Sequence, residues 1–330
     1  MYSFIYKIYF FLQRKRKKHR EQAGNAEGIL EKAIRFVLGY IEAYYNIFVV
    51  KSWRKHPSQK FGLNKKEREQ KIIVSLTSFP GRIDTLWITI ESILRQTVKP
   101  DKILLWLAES QFDGLESLPD SLLFLQKRGL TIRFCDDLRS HKKYFYTMQE
   151  HPDDLVVLLD DDMIYPFDTI EKLMKLHYKY PADICTITGQ VIVPGKLPSQ
   201  WRNPMLSEKL EHSDELQIFS GSGSLYPPHT VHKDAFDKKK IQDICPYADD
   251  LWLTYMGKRK NTKITALYPW RAFPVTIYGT SQGSLWEINA AQGQNDIQWE
   301  SLIKSPFNEV SENDKKDYPE NVGNAGKASI

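Results

Sequence analysis

The stretch Leu155-Val156-Val157-Leu158-Leu159-Asp160-Asp161-Asp162 constrains the fold of this 330-residue chain more than any other. Five apolar residues in a row read as a strand buried on both faces, which is the habit of a parallel sheet covered by helices. Three carboxylates stand at its carboxyl end, the end at which open α/β sheets bind ligands. In an extended backbone Asp160 and Asp162 point to one side and Asp161 to the other. Carboxylates this close repel and take up protons unless a cation offsets them. A hard divalent ion does so, and Mg²⁺ or Mn²⁺ leaves coordination positions open for substrate phosphates. The same residues also suit a polar turn that caps the next helix.

The flanking sequence alternates. Ile72–Leu76 reads as a strand, with the loop Thr77-Ser78-Phe79-Pro80-Gly81-Arg82 after it. A helix over 84–96, a strand over 102–107, a helix over 115–128 and a strand over 130–134 follow. Next come a helix over 141–150, the central strand, and a helix over 168–179. Such alternation predicts βαβ units and a mostly parallel sheet. After Pro181 the pattern is mixed: strands at 184–193 and 263–267, a helix over 247–257, and a glycine- and serine-rich segment between them. Residues 279–303, with Gly279, Gly283, Gly293, Trp286 and Trp299, suit either a lid over the site or a helix packed on the core.

Charge divides the chain. Residues 1–70 carry 16 Lys and Arg against 6 Asp and Glu, and the remaining 260 residues carry 30 against 35. The part with the carboxylate motif is therefore not basic, which argues against nucleic-acid binding. Residues 2–12 are apolar and aromatic, and Arg14–Arg20 follows with six Lys or Arg. The apolar run is too short to span a bilayer and has the wrong order for a secretory signal. It suits the headgroup layer of an anionic membrane, or a basic tail. Residues 29–50 form an amphipathic helix that either lies on a membrane or packs on the domain, and 51–70 read as a linker. Three regions result: 1–70, a compact domain over 71–305, and a polar tail over 306–330. Cys135, Cys185 and Cys245 are odd in number and far apart, so buried free thiols are expected in place of disulfides or a zinc site.

Several polar residues could join the central carboxylates. Arg82, Lys142 and Lys143 can all approach the same sheet edge and meet a diphosphate. Asp249 and Asp250 precede Leu251-Trp252-Leu253, as a helix cap or as an acid/base pair. Gly221-Ser222-Gly223-Ser224 lacks the Lys-Ser/Thr end of a Walker loop. Its small residues either admit a substrate close to the backbone or mark a bulged strand.

Taken in order, Ile72–Arg82, Lys99–Trp106 and Leu155–Asp162 resemble bacterial nucleotide-sugar glycosyltransferases of the GT-A type, over about residues 71–305. Asp160-Asp161-Asp162 matches that family's DxD motif. More distantly, the Asp160 strand, Ser220–Tyr226 and Ala248–Leu251 are similar to the carboxyl-terminal transferase domain of the exostosins. The resemblance implies a Rossmann-like α/β fold with a mostly parallel sheet flanked by helices. It implies a hexosyl- or N-acetylhexosaminyltransferase using Mn²⁺ or Mg²⁺ and a nucleotide sugar, a UDP-sugar, as donor. Thr77 and Arg82 would lie by the nucleotide and Lys142 by the ribose or diphosphate. Asp160 would touch the ribose, with Asp161 beside it, and Asp162 would bind the metal. Asp250, with Asp249 next to it, would sit at the reacting sugar. Family members often carry an acidic residue directly after the second strand for the base; here Trp106-Leu107-Ala108 precedes Glu109. The expected partners are the donor, a glycan or lipid-linked acceptor in cell-surface glycan synthesis, and an anionic membrane at its cytoplasmic face. Two other functions fit the same motifs, a sugar nucleotidyltransferase and a membrane-peripheral scaffold.

Overall fold

The computed structural model describes residues 2–22, 28–280, 289 and 292–305. Among the described residues ten strands fall in chain order. They are β1 (Ile72–Thr77), β2 (Lys102–Ala108), β3 (Leu130–Cys135), β4 (Leu155–Leu158), β5 (Met163–Ile164), β6 (Ile184–Val191), β7 (Leu216–Ile218), β8 (Ser224–Tyr226), β9 (Ile264–Tyr268) and β10 (Val275–Thr276). Eight of them form one sheet in the order β3-β2-β1-β4-β8-β6-β7, with β9 paired to β6. From β3 to β4 every pairing is parallel. The α/β architecture read from the alternation is the one the chain adopts.

Two features of this topology build a site. The strand order reverses at β1, which pairs with β2 on one side and β4 on the other, and a crevice opens outside their carboxyl ends. In addition, β8 runs antiparallel to β4, with Leu158 opposite Ser224. The start of β8, and the turn before it, therefore stand at the finish of β4, beside the three carboxylates.

Helices cover both faces: α4 (Ile83–Leu94), the short α5 (Asp120–Leu123), α6 (Lys142–Glu150), α7 (Thr169–Lys179), α8 (Lys238–Ile244), α9 (Asp249–Arg259) and α10 (Gln294–Lys304). Helix α4 is buried along nearly its whole length, and its Glu91 carboxylate is held by Arg95 and Arg128. The predicted helix over 115–128 is broken into 3₁₀ turns around α5, ended by Gly129 in the left-handed region. All three cysteines are buried and free.

The N-terminal region is more closely engaged with the domain than its charge suggests. Helix α1 (Tyr2–Gln22) buries Tyr6 and Tyr9, and the Tyr6 hydroxyl bonds the Ile164 carbonyl of β5. A second helix begins as α2 (Ile29–Ala43), passes through a π-helical turn at Tyr44–Val49 and ends as α3 (Val50–Lys55). Ile34, Leu38, Tyr45, Val49 and Trp53 belong to the same apolar cluster as β1 and α4. Of the basic run, Arg16 and Arg20 bind the buried carboxylate of Glu31, Lys17 pairs with Glu21, and Arg14 stacks over Trp270. A solvated basic tail is thus corrected: the buried Glu31 recruits two of its cations. Nor is 51–70 a free linker. Gly62 N donates to Arg128 O at 2.8 Å and Asn64 N to Pro100 O at 2.8 Å, tying the segment down. The tail over 306–330 and the 281–288 part of the proposed lid lie outside the described residues, whereas 294–304 is helix α10, packed through Trp299 on Trp201 and Tyr255.

Candidate active site

A cavity of about 750 Å³ opens at the reversal of strand order. It is lined by the end of β1 and the loop after it (Thr77, Ser78, Arg82), the start of α6 (Lys142, Lys143), the turn after β4 (Asp160, Asp161, Asp162) and the start of α9 (Asp249, Asp250). Every residue singled out by sequence for chemistry meets here, although they span more than 170 positions of the chain.

The carboxylates do not alternate as an extended strand would place them. Strand β4 ends at Leu158, so the backbone is already turning at Asp160. Asp161 and Asp162 consequently share one cation. Arg82 Nη1 binds Asp161 Oδ1, and Nη2 stands 3.1 Å from Asp162 Oδ2. Asp161 is fixed further by Ser78 Oγ at 2.6 Å, and its carbonyl accepts from Thr89 Oγ1 at 2.9 Å. Asp161 is therefore the anchor of the turn. Burial lowers the tendency of Arg82 to hold its proton, but Asp161 and Asp162 outweigh this and keep it charged.

Asp160 faces the other way. Lys143 Nζ reaches Asp160 Oδ1 at 2.6 Å and Asp249 Oδ2 at 2.9 Å, bridging the two walls of the cavity. Sequence reasoning assigned the facing role to Lys142, but Lys142 Nζ is bound to Asp137 Oδ1 at 2.6 Å. The adjacent positions differ because α6 begins at Lys142, and one helical residue turns the side chain by ~100°. Lys143 carried a basic side chain at the right distance from the strand; only the phase of the helix separated it from Lys142. The Thr77 hydroxyl is likewise occupied, donating to Trp106 O at 2.7 Å, so Thr77 lines the cavity as the fixed last residue of β1.

Neither Asp249 nor Asp250 caps α9. The cap position is Ala248, without a side-chain bond, and both carboxylates lie in the first turn, where the helix dipole favours them. Asp250 Oδ1 accepts from Ser220 N at 3.1 Å and from the Ser220 hydroxyl. Burial and the neighbouring Asp249 push the Asp250 carboxyl up to about 7. Burial also opposes charge on Asp249, but Lys143 outweighs it and holds that carboxyl below the usual range. One acid is thus fixed as an anion and the other poised near neutrality, the divergence expected of an acid/base pair.

The glycine-rich segment serves the carboxylate turn itself. A Cβ on Gly221 would lie 2.7 Å from Asp160 Oδ2, so the missing side chain makes room for Asp160. Tyr165, which sequence reasoning passed over, locks this contact. Its hydroxyl accepts from Asp160 N at 2.8 Å and lies 3.2 Å from the Gly221 carbonyl.

Among the described residues no group of three or more His, Cys, Asp or Glu side chains could by itself hold a metal ion. The donors present nevertheless fit one bound together with a ligand. Asp162 Oδ1 is buried without a hydrogen-bond partner, and burial together with Asp161 pushes this carboxyl up to about 7. One or two carboxylates from protein, with phosphate and water at the remaining positions, is the usual arrangement for Mg²⁺.

No protein-family model and no curated protein matches the chain. Many solved structures are similar to it in fold, among them these two. A mannosyltransferase from Pyrobaculum calidifontis in complex with GDP-Man and Mn²⁺ aligns at TM-score 0.44 and 11% identity, over 80% of this chain and 72% of that one. A CMP:2-keto-3-deoxy-manno-octonic acid synthetase complexed with CTP aligns at TM-score 0.37 and 14% identity, over 60% of this chain and 89% of that one. These are distant likenesses, and the chemistry has to be read from this chain's own side chains.

Proposed function

We propose that this protein is a metal-dependent glycosyltransferase of the GT-A type. It would move a hexosyl or N-acetylhexosaminyl group from a nucleotide-sugar donor, a UDP-sugar, to a hydroxyl of a glycan or lipid-linked acceptor. The observation that carries this reading is the pairing of two carboxylate groups across one cavity. On one wall stands the Asp160–Asp162 turn with an orphaned Asp162 oxygen; on the other stands Asp250, a carboxyl held by Ser220 and pushed up by burial and by Asp249.

Asp162, through its unpartnered oxygen, would hold the Mn²⁺ or Mg²⁺ that supplies charge neutralisation to a departing nucleoside diphosphate. Arg82 adds a fixed positive charge beside the same oxygens, preorganised by Asp161. Asp250 would accept the proton of the acceptor hydroxyl as that oxygen attacks the sugar, with Ser220 holding the carboxylate in place. Lys143 would keep Asp249 ionised and tether Asp160 through its 2.6 Å contact.

A panel of nucleotide sugars incubated with the protein and Mn²⁺ tests this. Release of nucleoside diphosphate is the expected result. Pyrophosphate-dependent exchange would establish a nucleotidyltransferase instead, and no turnover of any donor would favour a scaffold.

A further inference from the structure

We propose that the outward face of the two N-terminal helices docks on an anionic phospholipid bilayer. Docking there lays the cavity mouth beside the lipid, so that the acceptor is lipid-borne; the statement about the acceptor rests on the glycosyltransferase reading.

Each helix has two apolar faces and spends only one on the domain. Helix α1 buries Tyr6 and Tyr9 but leaves Phe4 66% and Phe11 56% exposed. Along the second helix Ile34, Leu38, Tyr45 and Val49 are buried, while Phe36 is 66%, Tyr40 64% and Phe48 63% exposed. Ordinary water-facing helices do not place aromatic rings there in series.

The charges match an anionic surface. Lys7, Lys18, Lys32 and Lys51 are exposed, and among the described residues none has a carboxylate partner. The acidic groups of the two helices are engaged: Glu31 by Arg16 and Arg20, Glu42 by the Tyr9 hydroxyl at 2.8 Å, Glu21 by Lys17 and Leu206 N. Aromatic rings among unpaired lysines suit the layer of headgroups.

The helix Ile29–Lys55 is long and apolar enough, by length and composition, to cross a bilayer. Its polar ties keep it lying along the domain. Asn46 Nδ2 donates to Thr276 O at 3.0 Å and its Oδ1 accepts from Tyr278 N at 2.8 Å, while Glu31 is buried in its ion pairs. These ties also give its location, because Thr276 lines the cavity. On α1, Gln13 Nε2 reaches the carbonyl of Phe273, a second lining residue, at 3.4 Å. The two helices therefore border the cavity.

Sedimentation of the full chain with extruded vesicles tests the surface. Wild type is expected to sediment with phosphatidylcholine/phosphatidylglycerol vesicles, less with phosphatidylcholine alone, and several-fold less at 0.5 M NaCl. The double variant Phe36→Glu/Phe48→Glu should lose about tenfold in bound fraction with an unchanged thermal melt, since both rings face solvent. Wild type remaining in the supernatant, binding equally to both vesicles at every salt, or a double variant that still sediments would each overturn the proposal. So would light scattering in which the variant splits an oligomer without altering vesicle binding, which would make the face an interface between copies. A sugar carried on an alkyl chain in the vesicle should be a better acceptor than the free sugar for wild type but not for the double variant; an equal preference in both overturns the inference about the acceptor. Donor hydrolysis without vesicles separates the two ideas: it should be equal in wild type and variant, and its absence from both overturns the glycosyltransferase reading while leaving the docking result standing.

Discussion

At the scale of residues, the site is a set of carboxylates in unequal circumstances. Asp161 is satisfied by Ser78 and Arg82, whereas Asp162 keeps a buried oxygen without a partner. Substituting Asp162→Ala should therefore abolish Mn²⁺-dependent binding of a nucleoside diphosphate in calorimetry, while Arg82 remains paired with Asp161 and the fold persists. Affinity equal to wild type would remove the metal role. Asp250 is tested by its proton. With the carboxyl pushed up to about 7, it is protonated below that pH and cannot accept. Turnover should rise with pH through about 7, and Asp250→Asn should lower kcat by ~10²-fold and abolish that limb. An Asn oxygen can still accept from Ser220, so donor KM should hardly change. A variant retaining full kcat refutes the assignment. The residue types were legible in the sequence because the three aspartates close a fully apolar strand. Their partners were not, since a side chain one position along a helix faces elsewhere, as Lys142 and Lys143 do.

At the scale of elements, the N-terminal helix departs most from its reading. Residues 2–12 and Arg14–Arg20 read as an apolar and a basic run suited to a membrane surface or a tail, and nothing local says that they form one helix or which of its faces meets protein. In the folded chain Tyr6 is buried against β5 and β10, and the helix completes the core cluster. Tyr6→Ala should cost ~3 kcal/mol, the scale of removing a buried aromatic ring. Urea unfolding measures it; a loss under ~1 kcal/mol would mean that α1 merely rests on the surface. The glycine-rich segment is a second case. Its composition announces close approach, and the approaching group is Asp160, brought there because β8 runs antiparallel to β4.

The whole molecule carries a pH dependence of its own. His141 is fully buried, its Nε2 2.8 Å from the Cys245 carbonyl, in the helical layer that holds both Lys143 and Asp249. Burial, chiefly, lowers its pKa from the usual 6.5 to about 4. Between these values the unfolded chain binds more protons than the folded one, so stability is lost as pH falls. The full difference amounts to about 3 kcal/mol and is present above pH ~6.5. Asp162 and Asp250, with carboxyls raised to about 7, gain protons on folding over the same range and act in the opposite sense, so the His141 part is the difference between two chains: from pH 7 to 4 the urea midpoint of wild type should drop relative to that of His141→Gln. An identical pH dependence in the variant would assign no acid sensitivity to His141.

By itself the sequence determined the alternation of strands and helices, the buried central strand with carboxylates at its exit, and the amphipathic helix that begins at residue 29. Those are periodicities, and they act within a few residues. Tertiary structure alone decided what each carboxylate touches. Arg82 lies 79 positions from Asp161, Ser220 lies 30 from Asp250, and Lys143 lies 17 from Asp160. Contacts over such separations depend on strand order, strand direction and helix phase together. A hydrogen bond or ion pair holds only within about an ångström, so only the assembled sheet could select the partners.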